Sequence, residues 1–245
     1  MEKLEADIVI VGTGASGLFA ALHVPNDKKV LMLTKSDAEN SDSFLAQGGI
    51  CVLRDKNDFD SFMEDTMKAG HYENRKESVE IMINSSRDII NELIGYGVNF
   101  ATKDGELDYT REGAHSKPRI LFHEDITGKE ITSTLLDAVR KLENVTIMEY
   151  VTMTDIIEKD NVCYGVLAKD ANNNEMSIEA GYTIFACGGI GGLYDHSTNY
   201  PHLTGDAIAI AIQHGIKLEN VDYVQIHPTT LYLSLIHISE PTRPY

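Results

Sequence analysis

The stretch DIVIVGTGASGLFAAL, residues 7–22, constrains this chain more than any other part of it. Ile8 to Val11 form a continuous apolar run, the pattern of a strand buried on both faces of a parallel sheet. Gly12, Gly14 and Gly17 follow at G-x-G-x-x-G spacing, and Leu18, Ala21 and Leu22 then recur at helical intervals. A second apolar strand lies within KKVLMLTK, residues 28–35. In this strand–turn–helix–strand context each glycine has its own task. Gly12 permits the tight turn, Gly14 lets the backbone approach a pyrophosphate, and Gly17 lets helix and strand pack closely. The helix start adds free N–H groups and the positive end of the helix dipole. The expectation is an α/β fold with a Rossmann-like dinucleotide-binding unit and a parallel central sheet.

Which dinucleotide it takes is a separate question. An acid at the end of the second strand commonly holds the adenosine ribose, but here that strand ends in Thr34–Lys35. Lys35 suits a 2′-phosphate, as in NADP, or the adenosine part of FAD. Two further glycine clusters favour the longer cofactor. Residues 40–50, NSDSFLAQGGI, contain Gly48–Gly49, and residues 185–211 run FACGGIGGLYDHSTNYPHLTGDAIAIA. An extended cofactor threaded between strand ends would use all three turns, whereas a nicotinamide enzyme needs the first alone.

The remaining pattern supports an α/β chain. Residues 58–70 and 76–96 read as amphipathic helices, the second ended by Gly95 and Gly97. KDGEL, residues 103–107, is a turn. Residues 129–143 read as a helix and 144–151 as a strand. Strands with turns at Lys159–Asn161 and Asn172–Asn174 then form a β-meander. TGDAIAIAIQHG, residues 204–215, reads as a helix with Thr204 as N-cap and Gly215 near its C-cap.

Composition excludes several function classes. The 245 residues carry a net charge of −17, which argues against a nucleic-acid surface and an anionic membrane. An anionic ligand must then be held by a local pocket, because the overall field repels it. No apolar run approaches the ~18 residues of a membrane span, and the N-terminus lacks the pattern of a signal peptide. Cys51, Cys163 and Cys187 are odd in number and lack CxxC spacing; reduced thiols in a cytoplasmic protein, with no zinc site, are the simple reading.

AQGGI (46–50), REGAHS (111–116), Arg119–Leu121, ACGGIGGLY (186–194), TGDAIA (204–209) and QIHPTTLY (225–232) together resemble the flavoprotein family of the L-aspartate oxidases and of the flavin subunits of succinate dehydrogenase and fumarate reductase. The aspartate-oxidising members fit best. The resemblance covers residues 5–232 and implies non-covalent FAD. It makes Gly12, Thr13, Gly14, Ala15, Ser16, Gly17 and Lys35 contacts to the adenosine and phosphate end. Asp42, Ser43, Phe44, Leu45, Ala46, Gln47, Gly48 and Gly49 would line the isoalloxazine and pyrophosphate. Val151 and Thr152 would touch the adenine end, and Asp206 the polyol or phosphates. Asp42 stands where the respiratory members carry a histidine bonded to flavin.

For the substrate, the resemblance places Glu112 against the amino-acid ammonium and Gln225 and His227 on the opposite wall; Val224 to His227 read as a strand would point both to one face. On the residues alone, Glu112 is a solvated acid and His227 a half-buried histidine. His115, Ser116 and Arg119 lie near, Arg119 as structural support or a flavin contact. The implied reaction is oxidation of L-aspartate to iminoaspartate in de novo NAD (pyridine nucleotide) biosynthesis, with oxygen or fumarate as acceptor and quinolinate synthase taking the product. A soluble fumarate reductase or succinate dehydrogenase flavoprotein is the rival reading, and a non-catalytic dinucleotide-binding fragment the rival from another class.

The family's acid/base arginine lies beyond the matched stretch, so a truncated enzyme, inactive alone, is expected. The expected organisation is an FAD-binding domain over residues 1–220 and the start of a capping domain over 221–232. Residues 233–245, LSLIHISEPTRPY, resemble an in-frame translation of a transposase-type sequencing adapter. Ala114 and Ala207 stand where the family commonly has glycine.

Overall fold

The computed structural model describes residues 1–225. His227 and the 233–245 tail lie outside them. The elements follow the chain as β1 (Glu2–Val11), α1 (Ala15–Leu22), β2 (Val30–Leu33), α2 (Asp42–Leu45), β3 (Ile50–Cys51), α3 (Phe59–Ala69), α4 (Lys76–Tyr96), β4 (Thr102–Lys103), β5 (Glu106–Leu107), β6 (Ile120–Leu121), α5 (Thr127–Val139), β7 (Val145–Met148), β8 (Thr152–Lys159), β9 (Val162–Lys169), β10 (Glu175–Phe185) and α6 (Asp206–Gln213).

The central sheet has the order β7-β2-β1-β10-β9-β8. Strands β7, β2, β1 and β10 are parallel neighbours, while β9 and β8 extend the sheet as an antiparallel meander. All four residues of β2 are buried, as are Val9, Ile10 and Val11. Side chains alternate across a strand, so one run feeds two cores. Ile10, Val30 and Met32 join Leu18, Leu135 and Leu136 beneath α1 and α5. Val9, Val11, Leu31 and Leu33 join Met153, Ile178 and Ile210 on the other face.

Helix α4 occupies the span read from periodicity, and its end shows how. Gly97 adopts φ +108°, Gly97 N–H donates to Ile94 O, and Val98 N–H donates to Leu93 O, a left-handed stop that glycine favours. Gly95 lies inside the helix, a correction to its reading as part of the stop. The KDGEL turn is a hairpin with Asp104 and Gly105 both at positive φ.

Three boundaries differ from the sequence reading. Helix α5 begins and ends earlier than 129–143, because Thr127 and Gly128 belong to its first turn. Strand β7 stops at Met148, and Tyr150 at φ +57° turns the chain before β8. The N-cap of α6 is Gly205 at φ +69°, not Thr204, whose hydroxyl donates to the Asp206 carboxylate at 2.7 Å. Its C-terminus follows expectation: Gly215 at φ +68° closes the helix as its N–H donates to Ile212 O, and Ile216 N–H donates to Ala211 O.

Candidate functional site

The first glycine turn is shaped by contacts that only glycine allows. Gly12 takes φ +114°, and a Cβ there would stand 2.1 Å from Ala186 O. A Cβ on Gly17 would stand 2.1 Å from Gly12 O. These two glycines therefore seat α1 against the ends of β1 and β10. Gly14 differs: its Cβ direction meets Ser43 Oγ at 3.1 Å and then Ser41 Cβ at 3.8 Å. It faces a cleft.

That cleft lies where parallel β1, β2 and β10 end, the position at which α/β sheets bind ligands. Gly12, Thr13, Gly14 and Ser16 form one wall; Thr34 and Lys35 from the end of β2 form another. Residues 40–43 close it from the side, and 186–188 with 202–206 from beyond β10. Val151 and Met153 form its apolar floor. The sequence reading placed Gly12, Thr13, Gly14, Ser16, Lys35, Asp42, Ser43, Val151 and Asp206 at the cofactor, and all of them line this cleft. Ala15 sits at its rim, with its N–H donating to Ser43 Oγ at 3.1 Å, so residue 43 caps the start of α1. Gly17 supports the cleft from behind.

The polar lining has a defined arrangement. Lys35 Nζ donates to His202 O at 2.9 Å and to Thr204 Oγ1 at 2.6 Å, and pairs with Asp206 Oδ2 at 2.6 Å. With Asp206 beside it, Lys35 is a strut between β2 and α6 rather than a free cation for a 2′-phosphate, which weighs against NADP. Asp42 Oδ1 accepts from Tyr200 N–H at 3.0 Å. Burial lifts the Cys187 thiol to about 11. Ser41 is 8% exposed, and its buried hydroxyl has no partner. An orphaned hydroxyl beside an open Gly14 face fits a polar ligand that supplies the missing partner. The residues present thus suit FAD: the α1 N-terminus and residues 41–43 would hold its phosphates.

Sequence reasoning missed Ser41, Asn40, Cys187 and the 202–205 segment as cleft residues. The 186–211 glycine cluster signalled this neighbourhood without singling them out. It also missed Gly128. A Cβ there would stand 2.2 Å from Ser43 O, and Gly128 N–H donates to Ala46 O at 2.8 Å. Helix α5 therefore fixes the 42–46 backbone, which carries Phe44, Leu45 and Ala46.

Beyond α2 the chain leaves the cleft. Gln47 and Gly48 lead to Gly49, whose Cβ position is filled by Ile120 Cγ2 at 2.2 Å. Gly49 thus packs on β6, in a small sheet in which β3 pairs antiparallel with β6. Phe44, Leu45, Ala46, Gln47, Gly48, Gly49 and Thr152 do not line the main cleft. Glu112, exposed on the loop before β6, places Oε2 3.7 Å from a Cβ position on Gly48. A separate cavity of about 510 Å³ opens nearby between β3, α3, α4 and Ala114–His115. Ala114 carries φ +65°, the conformation that favours glycine.

Arg119 is the hub of this loop. Its side chain is 0% exposed and binds Asp58 by two hydrogen bonds of 2.9 and 3.1 Å, Asp65 at 2.5 Å, and Ser61 Oγ at 3.0 Å. Phe62 lies under the guanidinium at 4.8 Å. Burial alone would raise the Asp58 carboxyl, but Arg119 and Ser61 hold it at about 2. Of the two roles weighed for Arg119, structural support is the one this geometry gives.

Gln225 is exposed, and no strand forms at Val224–Gln225, while His227 lies outside the described residues. The segment before it is tied by Tyr223 to Glu73 and by Glu219 to Arg75.

Known proteins agree with this geometry. The chain is 46% identical over 231 residues to the L-aspartate oxidase of Clostridium acetobutylicum, covering 94% of this chain and 53% of that protein. It is 44% identical over 230 residues to that of Clostridium perfringens, covering 94% and 52%. The chain therefore spans about half the length of these curated relatives. Among solved structures, Mycobacterium smegmatis Sdh1 in complex with UQ1 superposes with a TM-score of 0.80 at 28% identity, over 87% of this chain and 39% of that one. E. coli quinol fumarate reductase FrdA gives 0.82 at 25% identity, over 87% and 38%. The FAD binding domain family matches residues 7–238. The chain belongs to that family, and FAD is its cofactor.

Proposed function

We propose that this chain is the cofactor-binding part of an FAD-dependent oxidase that converts L-aspartate to iminoaspartate at the start of NAD biosynthesis, acting in the cytoplasm. Residues 1–220 form its FAD-binding domain and 221–232 open a capping domain. Oxygen or fumarate reoxidises the cofactor, and quinolinate synthase consumes the product.

The observation that carries this reading is Glu112, held over Gly48 at the far end of the segment whose near end, Asp42–Ser43, lines the cleft. A carboxylate there attracts the ammonium of aspartate, a group that succinate lacks, which favours aspartate over succinate. Gln225 and His227 are the further substrate contacts of this reading. FAD, when bound, supplies the two-electron acceptor. The chain's part is to seat the phosphates on Thr13–Ser16 and Ser41–Ser43, to keep the wall rigid through Lys35–Asp206, and to orient the amino acid through Glu112. An aspartate at 42, which cannot form the histidyl link of the respiratory members, supports a non-covalent flavin.

The test is anaerobic addition of L-aspartate, and separately succinate, to the flavin-loaded protein expressed from the uninterrupted reading frame. Bleaching of the flavin by aspartate alone is expected. Bleaching by succinate alone would establish the respiratory-type reading, and a colourless protein would leave only the non-catalytic module.

A further inference from the structure

His115 lies on the same turn as Glu112, with its backbone N–H directed at Glu112 O at 3.3 Å. Its ring is gripped from two sides. Arg119 Nη1 reaches His115 Nδ1 at 3.2 Å, and Cys51 Sγ lies 3.4 Å from Nε2. A guanidinium nitrogen can only donate. Nδ1 therefore accepts, and the proton of the neutral ring sits on Nε2, directed at Cys51 Sγ. This reverses the usual Cys–His nucleophile pair, in which imidazole takes the thiol proton.

The electrostatics agree. Burial first, then the Arg119 charge, hold the imidazole below its ordinary value, against the opposing pull of Asp65, Glu112 and Asp58. Burial raises the Cys51 thiol, and the Glu112 charge adds to it against the opposing pull of Arg119. Lys117, 3.5 Å from Asp58, adds a further positive charge behind Arg119. Both members of the pair are thus kept neutral.

We propose that Arg119 is a positioning residue that locks His115 as an Nε2–H donor, so that the Glu112–His115 turn presents one fixed acceptor and one fixed donor to an α-amino acid. The carboxylate of Glu112 takes the ammonium and the His115 N–H takes a carboxylate oxygen. Glu112 Oε2 lies beside Gly48 and the His115 ring beside Cys51 Sγ, three residues apart on the same segment. A thiol is a weak acceptor, so exchanging Cys51 Sγ for a carboxylate oxygen gives His115 a stronger, charge-assisted bond. The substrate half of this inference rests on the amino-acid reading above; the tautomer half does not.

The tautomer is tested by nitrogen NMR of this chain labelled at histidine, with His115→Gln identifying the ring signal. His115 should show the Nε2–H form at pH 7 and stay neutral below the ordinary imidazole titration near ~6.5. Arg119→Lys should lose that preference. If the lysine variant does not fold, the wild-type spectrum decides: an Nδ1–H ring or an imidazolium at pH 7 overturns the proposal. The substrate role is tested by kinetics of the protein from the uninterrupted reading frame. His115→Ala should raise KM for aspartate about tenfold or more, with a smaller fall in kcat, and His115→Gln, which keeps an N–H donor, should recover most of the loss. An unchanged KM in His115→Ala overturns the donor role while aspartate oxidation stands. Absence of aspartate oxidation in the wild type removes the function and the substrate role together.

Discussion

Gly17 and Asp58 show how single residues set the limits of this structure. The Cβ of an alanine at 17 would press on Gly12 O at 2.1 Å and on Ala186 Cβ at 3.3 Å. Overpacking of a core side chain costs about 1–3 kcal/mol, and here the obstacle is backbone that itself shapes the turn. Gly17→Ala should therefore lose about 3 kcal/mol in urea unfolding and retain less flavin on purification; an unchanged midpoint would show that α1 can back away from β1. Asp58 sets a limit in pH. Its folded carboxyl sits at about 2 against an ordinary 3.8, so folding favours the ionised form. That contribution is complete at neutral pH, declines as pH falls below about 4, and is gone below about 2. The shift corresponds to about 2 kcal/mol. Asp65, also lowered, loses its contribution in the same direction. Asp58→Asn should flatten the acid limb of a stability–pH curve while lowering stability at pH 7; an acid limb as steep as in the wild type would place the titration elsewhere.

At the scale of elements, the same substitution reverses sign in α4. Gly95 lies in the last turns of that helix, and a Cβ there meets nothing within 4 Å. Gly95→Ala should stabilise by about 0.5–1 kcal/mol, since alanine restricts the unfolded chain and favours the helix; a loss in thermal or urea unfolding would mean that the end of α4 bends. Helix α4 was legible in the sequence because its 21 residues carry both a stripe and a glycine stop, so local signals sufficed. The glycine turn at 12–17 was legible for the same reason. Helix α5 was misplaced because Thr127–Gly128 resembles a loop locally, and Gly128 is helical because its missing Cβ admits the Ser43 and Ala46 carbonyls. The cause lies more than eighty residues away. Likewise Arg119 was read without its partners, since Asp58 and Asp65 are separated from it by 61 and 54 positions. Two-residue strands such as β3 and β6 carry no period at all. Local chemistry announced the phosphate-binding turn, while long-range pairing, invisible in one sequence, built the wall that carries Glu112.

The whole molecule adds a field that the local site must overcome. The chain carries −17, and the pyrophosphate of FAD is anionic. Within the cleft, Lys35 is already paired with Asp206 at 2.6 Å, so among the described residues no unpaired lysine or arginine lines it. Attraction must come from short-range donors: the α1 N-terminus and the Ser41 and Ser43 hydroxyls. Such hydrogen bonds act over about 3 Å and are little affected by salt. The repulsion acts over the Debye length, about 30 Å at 0.01 M salt and about 8 Å at 0.15 M. Added salt should therefore speed FAD capture while leaving its escape nearly unchanged. The association rate, followed by quenching of flavin fluorescence on mixing with the apoprotein, should rise about three- to tenfold between 0.01 and 0.15 M salt. The dissociation rate should vary by less than about twofold over that range, because it reports contacts already made. An association rate that fell with salt would mean that Lys35 leaves Asp206 and draws the phosphates in. That result would turn the strut between β2 and α6 into a steering group.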